Sequence, residues 1–233
     1  MTLYLLPNQL AENADPSLYL PPGLQAIVDR LDGLIAESPK EGRAFLKRYS
    51  QRKIADVPLA LLNEHTTDQE LDALLLPLQQ GKTWGIVSDA GLPCMADPGA
   101  RLVERARRAG MNIRALAGPC SFVLALMLSG LSAQKFAFHG YLPREPRELA
   151  AMLKLLDQRI RKEGETQVFI EAPYRNMRLL QSLLSLPNDL ILSVACDLTA
   201  PTEEVITLPI KDWKARPLPA FDGRPAIFAL GNA

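Results

Sequence analysis

Histidine and cysteine are scarce in this chain, with 2 and 3 among 233 residues, and the three cysteines, Cys94, Cys120 and Cys196, lie far apart. That spacing offers no zinc ligand set and no disulfide framework, so reduced thiols in or near a core are expected. No metal is predicted. With His65 and His139 as the only histidines, Ser-His-Asp and Cys-His catalysis have little to draw on, and no G-x-S-x-G occurs. Neither G-x-G-x-x-G after the first strand nor G-x-x-x-x-G-K-[ST] anywhere is present, which removes the main support for dinucleotide and P-loop chemistry. Net charge is also absent: 26 basic side chains balance 26 acidic ones, so any contact with a polyanion must be local. The longest apolar run, near Phe122 to Leu131, is too short to cross a bilayer, and Met1 to Pro7 lacks a basic n-region followed by a long apolar segment. A cytoplasmic protein is expected.

What the chain does have is 48% apolar residues, ample for a real core, in an α/β rhythm. Short apolar runs near Leu3 to Leu6, Leu31 to Ile35, Leu59 to Leu62, Trp84 to Val87 and Ile113 to Leu116 read as strands, with helical patterns between them. One helix is predicted over Asp68 to Gln80, with Thr67 as N-cap, Glu70 three residues on and Gly81 beyond its end. After Gly118-Pro119, a plausible seam, come an apolar helix from Ser121 to Leu128, a strand near Phe136 to Phe138, and a charged helix around Arg147 to Lys162. A strand Gln167 to Ile170, a helix Arg175 to Leu186 and a strand Leu190 to Ala195 follow. Glu204 to Leu208 and Pro225 to Leu230 add antiparallel strands. The fold class expected is α/β, with an N-terminal lobe over residues 1–117 and a C-terminal lobe over 118–233.

The most informative stretch is Ser88-Asp89-Ala90-Gly91-Leu92-Pro93-Cys94-Met95-Ala96-Asp97-Pro98-Gly99. It leaves the carboxyl end of a predicted strand, where ligands bind in open α/β sheets, and it is long for a strand-to-helix connection. Four further segments accompany it in order: Asn63-Glu64-His65; Ala117-Gly118-Pro119-Cys120-Ser121 with Ser129-Gly130-Leu131; Phe138-His139-Gly140-Tyr141-Leu142-Pro143; and Glu171-Ala172-Pro173-Tyr174-Arg175. The ordered set, over about residues 57 to 231, resembles the tetrapyrrole methylase superfamily, and within it the branch of bacterial small-subunit ribosomal RNA 2′-O-ribose methyltransferases. There the segments read H-E-H, S-D-A-G-x-P-x-x-x-D-P-G, P-G-P-S-A with S-G-L, F-x-G-F-L-P and E-S-P-H-R.

The resemblance implies a two-lobed methyltransferase, homodimeric, with S-adenosylmethionine held in the cleft between the lobes. By position it assigns cofactor contacts to Pro7, Ser88, Asp89, Gly91, Met95, Ala96, Ser121 and Phe122, with Ile170, Ala195 and Ala226 as a wall for the adenine. A ribose hydroxyl is a poor nucleophile at neutral pH, and Glu64, Glu171 and Glu203 are the carboxylates offered as a base or as an oriented acceptor. Glu171 has a second reading as an ion pair with Arg175 that pins a turn, and His65 as a polar residue at a strand end. The family's first loop, P-T-P-I-G-N-L, is here Pro7-Asn8-Gln9-Leu10-Ala11-Glu12-Asn13, and its C-E-D-T-R step is Ala36-Glu37-Ser38-Pro39-Lys40. These departures point to a divergent paralogue with an altered acceptor site. RNA, as a ribose 2′-hydroxyl, is the first acceptor expected; a tetrapyrrole- or corrin-like small molecule, and a cofactor-binding protein without turnover, are the alternatives. For RNA the candidate surface is Lys40, Arg43, Lys47, Arg48, Arg52 and Lys53, although on its own the segment reads first as a solvated helix face packed by Phe45 and Tyr49. A second basic set, Arg101, Arg105, Arg107 and Arg108, is read as a solvated face.

Overall fold

The computed structural model describes residues 2–232. The chain divides into two compact units, Met1–Cys120 and Ser121–Ala233.

In the first unit the order is β1 (Thr2–Leu6), α1 (Pro16–Tyr19), α2 (Leu24–Val28), β2 (Gly33–Ala36), α3 (Pro39–Tyr49), β3 (Leu59–Leu61), α4 (Asp68–Gln79), β4 (Thr83–Val87), α5 (Gly99–Arg108) and β5 (Ile113–Ala115). The five strands form one sheet in the order β3-β2-β4-β1-β5, every pair parallel. A parallel sheet must be covered on both faces, and two apolar clusters do this. One gathers Leu3, Ile86, Leu71 and Leu75 of α4 and Leu102 and Ala106 of α5. The other gathers Leu6, Leu34, Leu24 and Val28 of α2 and Phe45 and Leu46 of α3. The α4 start is as expected: Thr67 Oγ1 accepts from the Glu70 amide, and the Glu70 carboxylate accepts from the Thr67 amide at 2.8 Å. The short helices α1 and α2 lie between β1 and β2; four- and five-residue helices carry too little periodicity to be bounded from sequence.

The layout places a switch point. From β1 the chain passes to α2 on one face of the sheet, and from the adjacent β4 it passes to α5 on the other. The loops after β1 and β4 therefore diverge from neighbouring carboxyl ends, which is where open α/β sheets form a ligand crevice.

The second unit runs α6 (Ser121–Ser129), β6 (Phe136–Tyr141), α7 (Pro146–Glu163), β7 (Thr166–Glu171), a 3₁₀ turn at Pro173–Arg175, α8 (Asn176–Leu183), β8 (Ile191–Cys196), β9 (Glu204–Pro209), α9 (Ile210–Lys214) and β10 (Ala226–Gly231). Its sheet has the order β6-β7-β10-β8-β9, with only β6 and β7 parallel. The two late strands are antiparallel, as expected. The helix expected from Arg175 begins instead after the 3₁₀ turn and ends at Leu183. Phe169, Val194, Cys196, Ala226 and Phe228 pack under α7 and α8, while α6 packs against β7, β8, β9 and β10. Among the described residues no helix is long and apolar enough to cross a membrane.

Candidate active site

At the switch point the loop after β1 is stapled to the loop after β4. Asn8, 3% exposed, donates its side-chain amide to the carbonyls of Ser88 (3.1 Å) and Asp89 (2.9 Å), and its backbone N–H donates to the Gly91 carbonyl at 2.8 Å. Gly91 sits at φ +71°, where a Cβ would come within 2.9 Å of Leu10 Cδ2 and 3.1 Å of the Pro119 carbonyl oxygen. Gly118 is equally constrained, since a Cβ there would lie 2.1 Å from Cβ of Pro7. Side-chain amides and close backbone approach thus fix a first loop that has lost the glycine of the family pattern. Gln9 completes the brace, donating to the Glu12 carbonyl at 2.9 Å and accepting from the Tyr49 hydroxyl at 3.0 Å.

The loop after β4 is strained. Cys94 (φ 69°) and Ala96 (φ 64°) both occupy the left-handed region that non-glycine residues avoid. Asp97 holds them there: its carboxylate accepts from the Cys94 amide at 2.8 Å and from the Gly99 amide at 2.7 Å. Strain of this kind persists only where surrounding structure over-determines it, and it concentrates at ligand sites. Glu37, at the end of β2, accepts from the Ser88 hydroxyl at 2.8 Å and the Asp89 amide at 3.0 Å. Asn8, Glu37 and Asp97 were not among the expected site residues; the D-P-G step is the one local signal that could have singled out Asp97, as an Asx-type turn.

The carboxylates here repel one another. Burial, then the charges of Glu37 and Glu41, push the Asp89 carboxyl above its ordinary value of 3.8, and burial does the same to Asp97 despite its amide donors. Burial also pushes the Cys94 thiol up to about 12, so it is a neutral thiol at physiological pH. A carboxyl with a raised folded-state pKa favours the fold below its unfolded value of 3.8 and loses that contribution as pH rises through the folded value. Replacing Asp89 by Asn should therefore raise the melting temperature at pH 7, with the gain vanishing as the pH approaches 3.8; paired thermal melts across that range check it, and a gain that does not depend on pH would contradict it.

Not all the expected residues gather. Ser88 and Gly91 are buried at the switch point, Pro7 is buried against Gly118, and Asp89, Met95 and Ala96 are exposed on the β4 loop. In the second unit, Phe122 stacks on Phe138 with ring centroids 4.3 Å apart, and Ser121 opens α6 beside it. Ile170 and Ala195 both stand opposite Ile227, so they share one face of the sheet; Ala226 is one residue out of step and packs on the other face, under α7 and α8. Of the three residues expected as a wall for the adenine, two therefore share a sheet face, with Ile227 between them.

The carboxylates offered as bases each have their own partners. Glu64 is exposed and meets His65 at 3.5 Å. Glu171 forms a largely buried ion pair with Arg175 and accepts from the Ala172 amide at 2.6 Å, the turn-pinning arrangement. Glu203 accepts from the amide of Thr199, a residue at φ 72°. Of the basic sets, α3 packs Phe45 and Leu46 inward and exposes Arg43, Lys47 and Arg48. Arg52 is engaged instead with the carbonyls of Leu31 (2.6 Å) and Asp56 (3.0 Å), while Lys53 is exposed. The set on α5 is not simply a solvated face: Arg101 and Arg105 pair with Asp68, and Arg105 also with Asp72, bracing α5 to α4.

Comparison with known proteins agrees with this layout. The family model for tetrapyrrole (corrin/porphyrin) methylases matches residues 25–213. The ribosomal RNA small subunit methyltransferase I of Thermotoga maritima is 33% identical over 169 residues, 72% of either chain. The protein of that name from Escherichia coli O157:H7 is 29% identical over 214 residues, 91% of this chain and 71% of its own. Across such curated relatives the chain spans from 52% to 73% of their length. In fold, the methyltransferase CobJ superposes with a TM-score of 0.65 at 18% identity, covering 100% of this chain and 93% of its own. A two-sheet α/β fold with braced loops at a switch point, and these relatives, define an S-adenosylmethionine-dependent methyltransferase. The chain belongs to the tetrapyrrole (corrin/porphyrin) methylase family.

Proposed function

We propose that this methyltransferase modifies RNA, at a ribose 2′-hydroxyl of small-subunit ribosomal RNA, and that the switch point of its first unit grips the cofactor. The observation that carries the cofactor part is the strained, doubly stapled loop 88–99 facing the loop after β1. The residues present suit the group. A sulfonium and an α-ammonium are cationic, and Asp89, with Glu37 and Glu41 close enough to raise its pKa, supplies negative potential there. Gly91 permits the tight turn at φ +71° that packs the loop on Leu10 and the Pro119 carbonyl, and Met95 and Ala96 lie exposed further along the same loop. Ser121, Phe122, Ile170 and Ala195 are the proposed contacts of the second unit.

When bound, S-adenosylmethionine supplies an electrophilic methyl carbon, and displacement at it asks chiefly for alignment. Rigid loops provide alignment at no cost during the reaction. RNA as acceptor is supported by the names of the relatives and by the exposed cations of α3. A homodimer in the cytoplasm completes the proposal.

The test is transfer of radiolabelled methyl from S-adenosylmethionine to unmodified small-subunit ribosomal RNA, alone and in the assembled subunit, followed by alkaline hydrolysis. Label retained in an alkali-resistant dinucleotide marks a ribose 2′-hydroxyl. Label in a corrin- or porphyrin-type macrocycle offered in parallel, with none in RNA, would overturn the acceptor assignment.

A further inference from the structure

Beside the braced loop lies a polar recess of about 270 Å³, lined by Gln9, Glu12, Lys40, Glu41, Arg48 and Asp89 among others. Its cations, Lys40 and Arg48, come from α3 and face the carboxylates of Glu12, Glu41 and Asp89; each has one ion-pair partner, and Lys40 also lowers the pKa of Asp89. Arg48 Nη2 lies 3.7 Å from Glu12 Oε1, and the Glu12 side chain is 93% exposed. Lys40 Nζ lies 3.4 Å from Glu41 Oε1, with Lys40 itself 90% exposed. Such pairs are loose and easily exchanged in water. Arg48, also on the exposed face of α3, differs from Lys40 in that its side chain is 31% exposed where that of Lys40 is 90%. A guanidinium held in this way presents a planar fork suited to two oxygens of a phosphate. Glu12, the anion that now approaches it, belongs to the segment where the first loop departs from the family pattern. Arg52, of the same basic segment, lacks this setting, since it is consumed by backbone carbonyls.

Resting on RNA as the acceptor, we propose that this recess is the phosphate subsite for the acceptor strand: Arg48 and Lys40 take a backbone phosphate, and the Glu12 carboxylate occupies Arg48 until RNA displaces it. The recess then fixes the strand beside the loop carrying Asp89 without touching the reacting oxygen. Arg48, Lys40 and Glu12 govern RNA capture and leave the transfer step alone. Removing the cation and removing the competing anion must act in opposite directions.

The experiment is steady-state methyl transfer to unmodified small-subunit RNA with the wild type, Arg48→Ala, Arg48→Lys and Glu12→Gln, with Arg107→Ala as an exposed control on α5. Calorimetric S-adenosylmethionine affinities are measured for each. Arg48→Ala should raise KM for RNA about tenfold with kcat and cofactor affinity within about twofold of wild type; Arg48→Lys should restore part of the loss. Glu12→Gln should lower KM, and both effects should shrink at high salt. Unchanged KM in both Arg48→Ala and Glu12→Gln, with an active wild type, would overturn the subsite alone. Loss of cofactor affinity in parallel with KM would assign the recess to the cofactor and overturn it too. A wild type that binds S-adenosylmethionine but transfers nothing to RNA would bring down the acceptor assignment and the subsite with it.

Discussion

Replacing Glu171 by alanine is expected to destabilise the protein by about 3 kcal/mol, because breaking a buried ion pair leaves an uncompensated charge. The Glu171 and Arg175 side chains are only 7% and 13% exposed, and the partner left behind is poorly placed to recover. Among the described residues Arg175 Nε already lacks a hydrogen-bond partner, and the Ala172 amide would lose its acceptor as well. Glu171→Gln keeps an oxygen for Ala172 and should lose roughly half as much. Urea unfolding followed by circular dichroism reads both. The same pair of variants separates a turn-pinning carboxylate from a general base. If Glu171 accepted the hydroxyl proton, the Gln variant would lose turnover by about a hundredfold or more while remaining folded; if it pins the turn, loss of activity should follow loss of fold. Stability unchanged in Glu171→Ala would remove the structural account.

The second large effect is expected at Asp97. Alanine there strips two amides, Cys94 and Gly99, of the carboxylate that caps them, in a loop that keeps Cys94 and Ala96 at positive φ. Unmet amide donors cost about 1 to 3 kcal/mol each. Relief of the raised Asp97 pKa and of backbone strain returns part of that, so a net loss of about 2 kcal/mol is the expected outcome. The loop should open as well: amide hydrogen exchange across residues 91–99 should speed up while exchange in β1 and β4 stays slow. A loop as protected in Asp97→Ala as in the wild type would mean that the clamp is not what holds it.

How far the sequence reached follows from how local each signal is. The α4 capping box was legible because Thr67 and Glu70 satisfy each other within one turn. The parallel strands and the late antiparallel pair were legible from apolar runs between turn residues. What escaped depends on partners distant in the chain. Arg101 and Arg105 read as solvated until α4 is laid beside α5 and brings Asp68 within reach. Ala226 read as a companion of Ile170 and Ala195 because strand parity is set by register, and β10 pairs so that Ile227, not Ala226, stands between them. Asn8 stands in the segment that departs from the family pattern; its function as a staple emerges only when β1 and β4 are neighbours, since Ser88 lies 80 positions along the chain. The candidate site was therefore located by the resemblance of its loops, while its bracing required the fold.

If the switch point is the cofactor grip, calorimetric titration with S-adenosylmethionine and its demethylated product tests it most directly. The wild type should bind both with one site per chain, and Asp89→Ala should weaken S-adenosylmethionine more than the product, which keeps the α-ammonium but has a neutral thioether in place of the sulfonium, because the carboxylate acts on the sulfonium charge as well. No heat of binding in the wild type, or equal losses for the two ligands in Asp89→Ala, would contradict it.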